Sequence, residues 1–286
     1  KDFAKHRGLK ILDLKKNIFC CKKKFLQQEI DISLENLQLK TLDNYYIHNP
    51  EFLNGNLNNF KDYYQIFETF EKAIQNNKIR SYGISSWAGF RRDKQNPFFI
   101  DIKKIVKIAN DVAGKKNGFK NLQVPLSVYM PFVEKNYSFS GNKNLLDYCY
   151  ENKINIFTSA SLYEGKIEQF LNFLKIFNYL NNKKKKSIYH NLDANSFTLP
   201  KSENSILQLF ENLNLISKNI KKFNINFDDH VYSKSLNLIR SKKKITSSLF
   251  GVDNVKQLYE NVSILRKKKI DYPDQKKIWN FLLKKI

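Results

Sequence analysis

Residues 42–50 read LDNYYIHNP. The run Leu42, Tyr45, Tyr46 and Ile47 stops abruptly at His48-Asn49-Pro50. Bulky β-formers closed by a proline predict a short buried strand over 42–48, with His48 near its C-terminal end. A histidine at that place either packs in the core or faces a substrate, and the rest of the chain has to decide between the two. Four further stretches have the same character: IRSYGISS (79–86), NLQVPLSV (121–128), KINIFTS (153–159) and ITSSLFG (245–251). Helical periodicity fills the intervals. In 25–39, Phe25, Leu26, Ile30, Leu34 and Leu37 recur at helical spacing, and similar patterns predict helices near 60–77, 100–113, 143–152, 165–180, 203–219, 230–241 and 254–268. A last apolar segment, KKIWNFLLKKI, ends the chain.

Strands followed by helices, with no hairpin signal between them, mean parallel strands joined by crossover helices. Neither GxGxxG nor GxxxxGK[ST] follows any of the strands, so a (β/α) barrel of the TIM type is expected rather than a doubly wound nucleotide-binding sheet. Barrels of this kind place their sites at the C-terminal ends of the strands. His48, Ser85, Ser86, Gln123, Ser159 and Gly251 all fall at or near such ends.

Composition narrows the alternatives. The 286 residues are 42% apolar, enough for a substantial core. The net charge of +23 comes from short scattered clusters such as Lys183–Lys186 and Lys242–Lys244 in Asn/Lys-rich surroundings. That pattern is a compositional bias at solvated positions, and lysine is not the usual instrument of base readout, so nucleic acid is not assigned as a partner. Cys20, Cys21 and Cys149 cannot all pair, and adjacent cysteines fit no zinc spacing. His6, His190 and His230 show no ligand spacing either, so no metal is expected. No apolar stretch approaches the roughly 18 residues that a membrane helix needs, and a reducing, cytoplasmic location is expected.

Taken in order, LDNYYIHNPE, NNKIRSYGISSWAGFR, NLQVPLSVYMP, INIFTSASLYEG and ITSSLFGVDNVKQLYENV resemble successive strand-end motifs of the aldo-keto reductases, in particular the branch that reads YYLHNPE and GISTWNGFR. The resemblance runs from about residue 8 to 265 and is weakest across 166–229, where a Lys/Asn-rich insertion is expected within a single barrel domain covering 1–286. It implies an NAD(P)-dependent oxidoreductase acting on an aldehyde, ketone, sugar or alcohol. It also implies a catalytic set of Asp, Tyr, Lys and His, in which the histidine orients the carbonyl. His48 matches that histidine. The family's Asp and Tyr follow its second strand and its Lys ends the third, whereas the strands visible here correspond to about five of the eight strand–helix units. An incomplete, N-terminally truncated barrel is therefore expected. Lys10, Lys15 and Lys16 end no apolar strand and are not cast as the catalytic lysine. The alternative is a non-catalytic barrel, binding or scaffolding, that has lost its acid.

The resemblance also implies a cofactor path. Ser85, Ser86 and Gln123 match the positions that hold the nicotinamide carboxamide, and Ser159 replaces a ring that stacks on the nicotinamide in many members. Ala160, Leu162 and Gly165 match the loop beside the pyrophosphate. Gly251, Asp253, Gln257, Glu260 and Asn261 match the adenosine-end loop and helix, with the last three on one helical face. Asp253 stands where NADP-preferring members carry a cation, which favours NAD over NADP. Trp87 and Phe90 are expected to wall an apolar substrate pocket, and Tyr45 and Tyr46 to lie in the core.

Overall fold

The computed structural model describes residues 20–52, 60–127, 130, 133, 143–162 and 231–283. The chain divides into two compact units. One comprises Lys1–Pro125, Phe132–Ser159 and Lys244–Ser247, and the other Leu126–Pro131, Ala160–Lys243 and Ser248–Ile286. The helices expected over 165–180 and 203–219, and the Lys/Asn-rich insertion around 166–229, lie outside the described residues.

The first unit alternates helix and strand: α1 (Lys23–Leu37), β1 (Leu42–His48), α2 (Lys61–Gln75), β2 (Ile79–Ser85), α3 (Ile102–Ala113), β3 (Phe119–Pro125), α4 (Leu145–Glu151) and β4 (Asn155–Ser159). The strands run in sheet order β1-β2-β3-β4-β5, where β5 is Ser247–Ser248, and β1 through β4 pair in parallel. Three of the helix ends have a local cause. The Asp101 carboxylate accepts from Lys103 N at 3.0 Å at the start of α3. Asn144 and Asp147 form a reciprocal capping box on α4. At the end of α1, Gln38 takes φ 53 and its N–H donates to the last carbonyls, Glu35 O and Leu34 O, stopping the helix at Leu37 rather than 39.

The core lies between the sheet and α2. Tyr63, Ile66, Phe67, Phe70 and Ala73 recur on one face of α2 and are buried. Tyr82 of β2 is enclosed by Phe67, Phe70 and Phe119, with ring centroids 5.0, 5.5 and 6.0 Å away. Its hydroxyl donates to Glu71 Oε1 at 2.9 Å, and the same oxygen accepts from Gly118 N at 2.7 Å. On the opposite face, β2 and β3 approach so closely that a Cβ on Gly83 would stand 2.0 Å from Asn121 O. Only glycine fits there.

Three strand expectations change. The run 42–48 is a strand, but Tyr45 and Tyr46 are half-buried and His48 is exposed, because β1 is the edge of the sheet among the described residues. The strand expected over 121–128 is β3 at 119–125, since the chain leaves the sheet at Pro125, which has no N–H to give a further ladder bond. The strand expected over 245–251 shrinks to two residues. Thr246 meets Ile156 with both its N–H, which donates to Ile156 O at 2.8 Å, and its Oγ1, which accepts from Ile156 N at 3.0 Å. A side chain thus takes the place of a ladder carbonyl.

The second unit holds α5 (Val231–Arg240), α6 (Val255–Val262) and α7 (Tyr272–Leu283). The helix expected over 254–268 stops at Val262 and continues as a tighter 3-10 turn, Ser263–Arg266. Residues 276–283 of the C-terminal apolar segment are part of α7, whose Pro273 sits in the first turn, where its missing N–H has no intrahelical partner to lose. Leu236, Leu238, Ile239, Ile264, Ile278 and Trp279 are buried in this unit.

Candidate active site

Strand register gathers the candidates. His48 pairs with Ser85, Ser85 with Gln123, and Gln123 with Phe157, so one transverse row crosses four strands near their C-terminal ends. Residues in one row share a face, and neighbouring strands lie about 4.8 Å apart, so His48, Ser85 and Gln123 stand within about 10 Å. The imidazole is exposed, the Ser85 side chain buried and the Gln123 amide half-buried. Two positions further along, Pro125 pairs with Ser159, which is half-buried.

Beneath this row is a polar network that the sequence reading missed. Asn44 Oδ1 accepts from Ser81 Oγ at 2.5 Å and from Asn121 Nδ2 at 2.5 Å, and Asn121 Oδ1 accepts from Asn155 Nδ2 at 3.2 Å. Side chains from all four strands are thereby joined, and Asn121 is only 1% exposed. The signal was available: a polar residue stands two or four positions before each row member, on the same face of its strand. Tyr46 lies on that face as well, its ring edge-on to Phe157 at 6.4 Å. Burial pushes the Tyr46 phenol up to about 12, so it keeps its proton at neutral pH.

The loop after β2 carries the next candidates. Ser86 is buried, its N–H donates to Gln123 O at 3.0 Å and its Oγ accepts from Gly89 N at 2.8 Å. Trp87 is half-buried with the Arg91 guanidinium carbon 5.0 Å from its ring centroid. Phe90 is buried.

The pyrophosphate-loop and adenosine-end candidates belong to the second unit. Ala160 takes φ 52, Leu162 is half-buried, and Gly165 lies outside the described residues. Gly251 and Asp253 are exposed. Gln257 is committed to the start of α6. Its side chain accepts from Asp253 N at 2.7 Å, while its own N–H donates to the N-cap Asn254 Oδ1 at 2.9 Å. The single face expected for Gln257, Glu260 and Asn261 is divided by burial. Asn261 is buried, whereas Glu260 is exposed, 4.0 Å from Lys256. Among the described residues no cluster of three or more His, Cys, Asp or Glu could hold a metal ion, and no helix is long and apolar enough to cross a membrane.

A parallel sheet with crossover helices and polar side chains aligned at the C-terminal strand ends is an arrangement that α/β barrels share with doubly wound sheets, and similarity to known proteins decides for the barrel. The model of the aldo/keto reductase family matches residues 9–279, and the chain belongs to that family. No curated protein sequence matches the chain significantly. Among solved structures, a glycerol dehydrogenase from Gluconobacter oxydans superimposes with a TM-score of 0.57 at 15% identity, covering 93% of this chain and 66% of its own. An aldo-keto reductase from Bacillus halodurans, in its holo form, gives 0.58 at 15% identity, covering 92% and 69%. A thermostable aldo-keto reductase in complex with the inhibitor epalrestat gives 0.54 at 14% identity, covering 95% and 74%. The likeness is one of fold, and this chain spans about two thirds of the first neighbour's length.

Proposed function

We propose that this protein is an NAD(P)-dependent oxidoreductase acting on a carbonyl or alcohol substrate, with His48 orienting the substrate oxygen. The observation that carries this reading is the row His48–Ser85–Gln123 on the C-terminal ends of β1, β2 and β3. Ser85 offers a hydroxyl and Gln123 both ends of an amide, a donor and acceptor set suited to a carboxamide, so the residues fit a nicotinamide group. The cofactor, when bound, supplies the hydride that adds to the carbonyl carbon. Ser85, Ser86 and Gln123 hold the nicotinamide end, with Ser159 beside them. The family resemblance assigns Ala160 and Leu162 to the pyrophosphate, and Gly251, Asp253, Gln257, Glu260 and Asn261 to the adenosine end. The His48 imidazole N–H donates to the substrate oxygen, on which negative charge gathers as the hydride arrives, and the proton that completes the alcohol has to come from a general acid, a role the family gives to a tyrosine that none of the motifs read here matches. Trp87 and Phe90 exclude water on the substrate side.

The test is direct. NADH and NADPH are titrated by fluorescence, and turnover is followed as absorbance loss at about 340 nm with a panel of aldehydes, ketones and sugars. Carbonyl-dependent oxidation of either cofactor is expected. Binding of neither overturns the proposal. Binding without turnover on any substrate favours the non-catalytic barrel.

A further inference from the structure

Resting on the reading of His48, Ser85, Ser86 and Gln123 as a reductase site, we infer that Asn49 and Glu51 are positioning residues that set the loop carrying Trp87 and thereby place the substrate wall relative to His48. Three successive amides of that loop are each held by a side chain. Trp87 N donates to Asn49 Oδ1 at 2.9 Å, Ala88 N to Glu51 Oε1 at 2.7 Å, and Gly89 N to Ser86 Oγ at 2.8 Å. Two of the three acceptors come from the tripeptide that directly follows His48 in the chain.

Asn49 grips the end of β2 twice, since its own N–H also donates to Ser85 O at 2.6 Å. To do so it adopts φ 48, a left-handed conformation that asparagine tolerates better than other non-glycine residues. Glu51 is the less expected member. It is 0% exposed, and its second oxygen, Oε2, has no hydrogen-bond partner. Burying a carboxylate with one oxygen unsatisfied is costly, and an apolar side chain would fill the same space without that cost. What Glu51 supplies that an apolar residue cannot is a charge-assisted acceptor for Ala88 N. The loop has no slack on its far side. Gly89 O accepts from Ile100 N at 2.8 Å, and a Cβ on Gly89 would stand 2.4 Å from Ile100 Cδ1 and 2.8 Å from Ser86 Oγ. Trp87 and its stacked Arg91 ride on a loop clamped from both sides.

Paired variants of the full-length protein test the assignment. Asn49→Gly keeps the left-handed backbone and removes Oδ1, whereas Asn49→Asp keeps both. Glu51→Ala removes the acceptor for Ala88, and Glu51→Gln keeps one. The chain has two tryptophans, and Trp279 is 3% exposed, so acrylamide quenching of fluorescence reads chiefly Trp87. Asn49→Gly and Glu51→Ala are expected to raise the quenching constant about twofold. They should also raise KM for 4-nitrobenzaldehyde at least about fivefold while kcat changes less, with Asn49→Asp and Glu51→Gln staying within about twofold of wild type. Unchanged quenching in Asn49→Gly that still melts cooperatively overturns the inference, as does equal loss in the conservative variants. Should Glu51→Ala not fold, Asn49→Gly decides. A wild-type protein that binds neither NADH nor NADPH would instead sink the reductase reading, and the quenching comparison would still decide the clamp.

Discussion

At the scale of the residue, the exposed imidazole of His48 carries the functional reading. It ends a strand, shares its row with Ser85, and stands two residues beyond Tyr46 on the same face. If it orients the substrate oxygen, His48→Ala should lower kcat/KM by about tenfold to a thousandfold, by analogy with the loss of one oxyanion donor. Steady-state kinetics of His48→Ala and His48→Gln would check this, and wild-type turnover in both would make His48 a packing residue. Asp253 is the residue proposed to bear on cofactor choice. Its backbone N–H, not its carboxylate, makes the bond to Gln257, so Asp253→Lys leaves the start of α6 intact. A carboxylate repels a 2′-phosphate, and the lysine variant should shift preference toward NADPH by about tenfold, or about 1.4 kcal/mol. Parallel titrations measure that ratio. A wild-type protein that already binds NADPH more than about tenfold tighter than NADH would contradict the role given to Asp253.

At the scale of the element, α4 shows how local chemistry sets stability. Its seven residues are too few to persist without the Asn144–Asp147 box and the ion pair that Asp147 makes with Lys244. Asn144→Ala should cost about 1 kcal/mol in thermal or denaturant melts. Burial pushes the Asp147 carboxyl up. The hydrogen bonds from Lys244 and from Asn144 N, and the charges of Lys244 and Lys143, outweigh it and hold the carboxyl below its usual range. The folded state therefore favours the carboxylate. The stabilisation is full above the ordinary carboxylate pKa and is lost as pH falls through the lowered folded value. Melts of wild type and Asp147→Asn should differ most near neutrality and converge as pH falls below the ordinary carboxylate range; a constant gap would contradict this. Gly83 governs the approach of β2 to β3. Gly83→Ala meets backbone rather than a flexible side chain, so a loss of about 1–3 kcal/mol is expected in the same melts.

At the scale of the whole molecule, ligand linkage offers a test that needs no substrate. A cofactor that binds only the folded protein stabilises it by about 2.7 kcal/mol at a hundred times its Kd. Saturating NADH or NADPH should therefore raise Tm, and His48→Ala should keep that rise if, as proposed, the histidine serves the substrate rather than the cofactor. A Tm indifferent to both cofactors would count against the proposed activity.

Much of the architecture was legible because the signals behind it are local. Period-two runs located β1 through β4, helical spacing located α1 through α4, and the strand-end positions of His48 and Ser85 followed from where those runs stopped, whereas Gln123 comes near a strand end because β3 stops at Pro125 rather than at 128. The sequence by itself determined which residues alternate, which helices can form and which side chains end the strands. Only the tertiary structure decided what crosses from strand to strand. His48 is exposed because β1 is an edge among the described residues, and β5 is two residues long because Thr246 spends a side chain on the ladder. The Asn44–Ser81–Asn121–Asn155 network and the grip of Asn49 on Trp87 and of Glu51 on Ala88, 38 and 37 positions away, depend on register. Register is set by the packing of whole faces and by close approaches such as Gly83 on Asn121, and a one-residue slip would turn every one of these side chains to the other face.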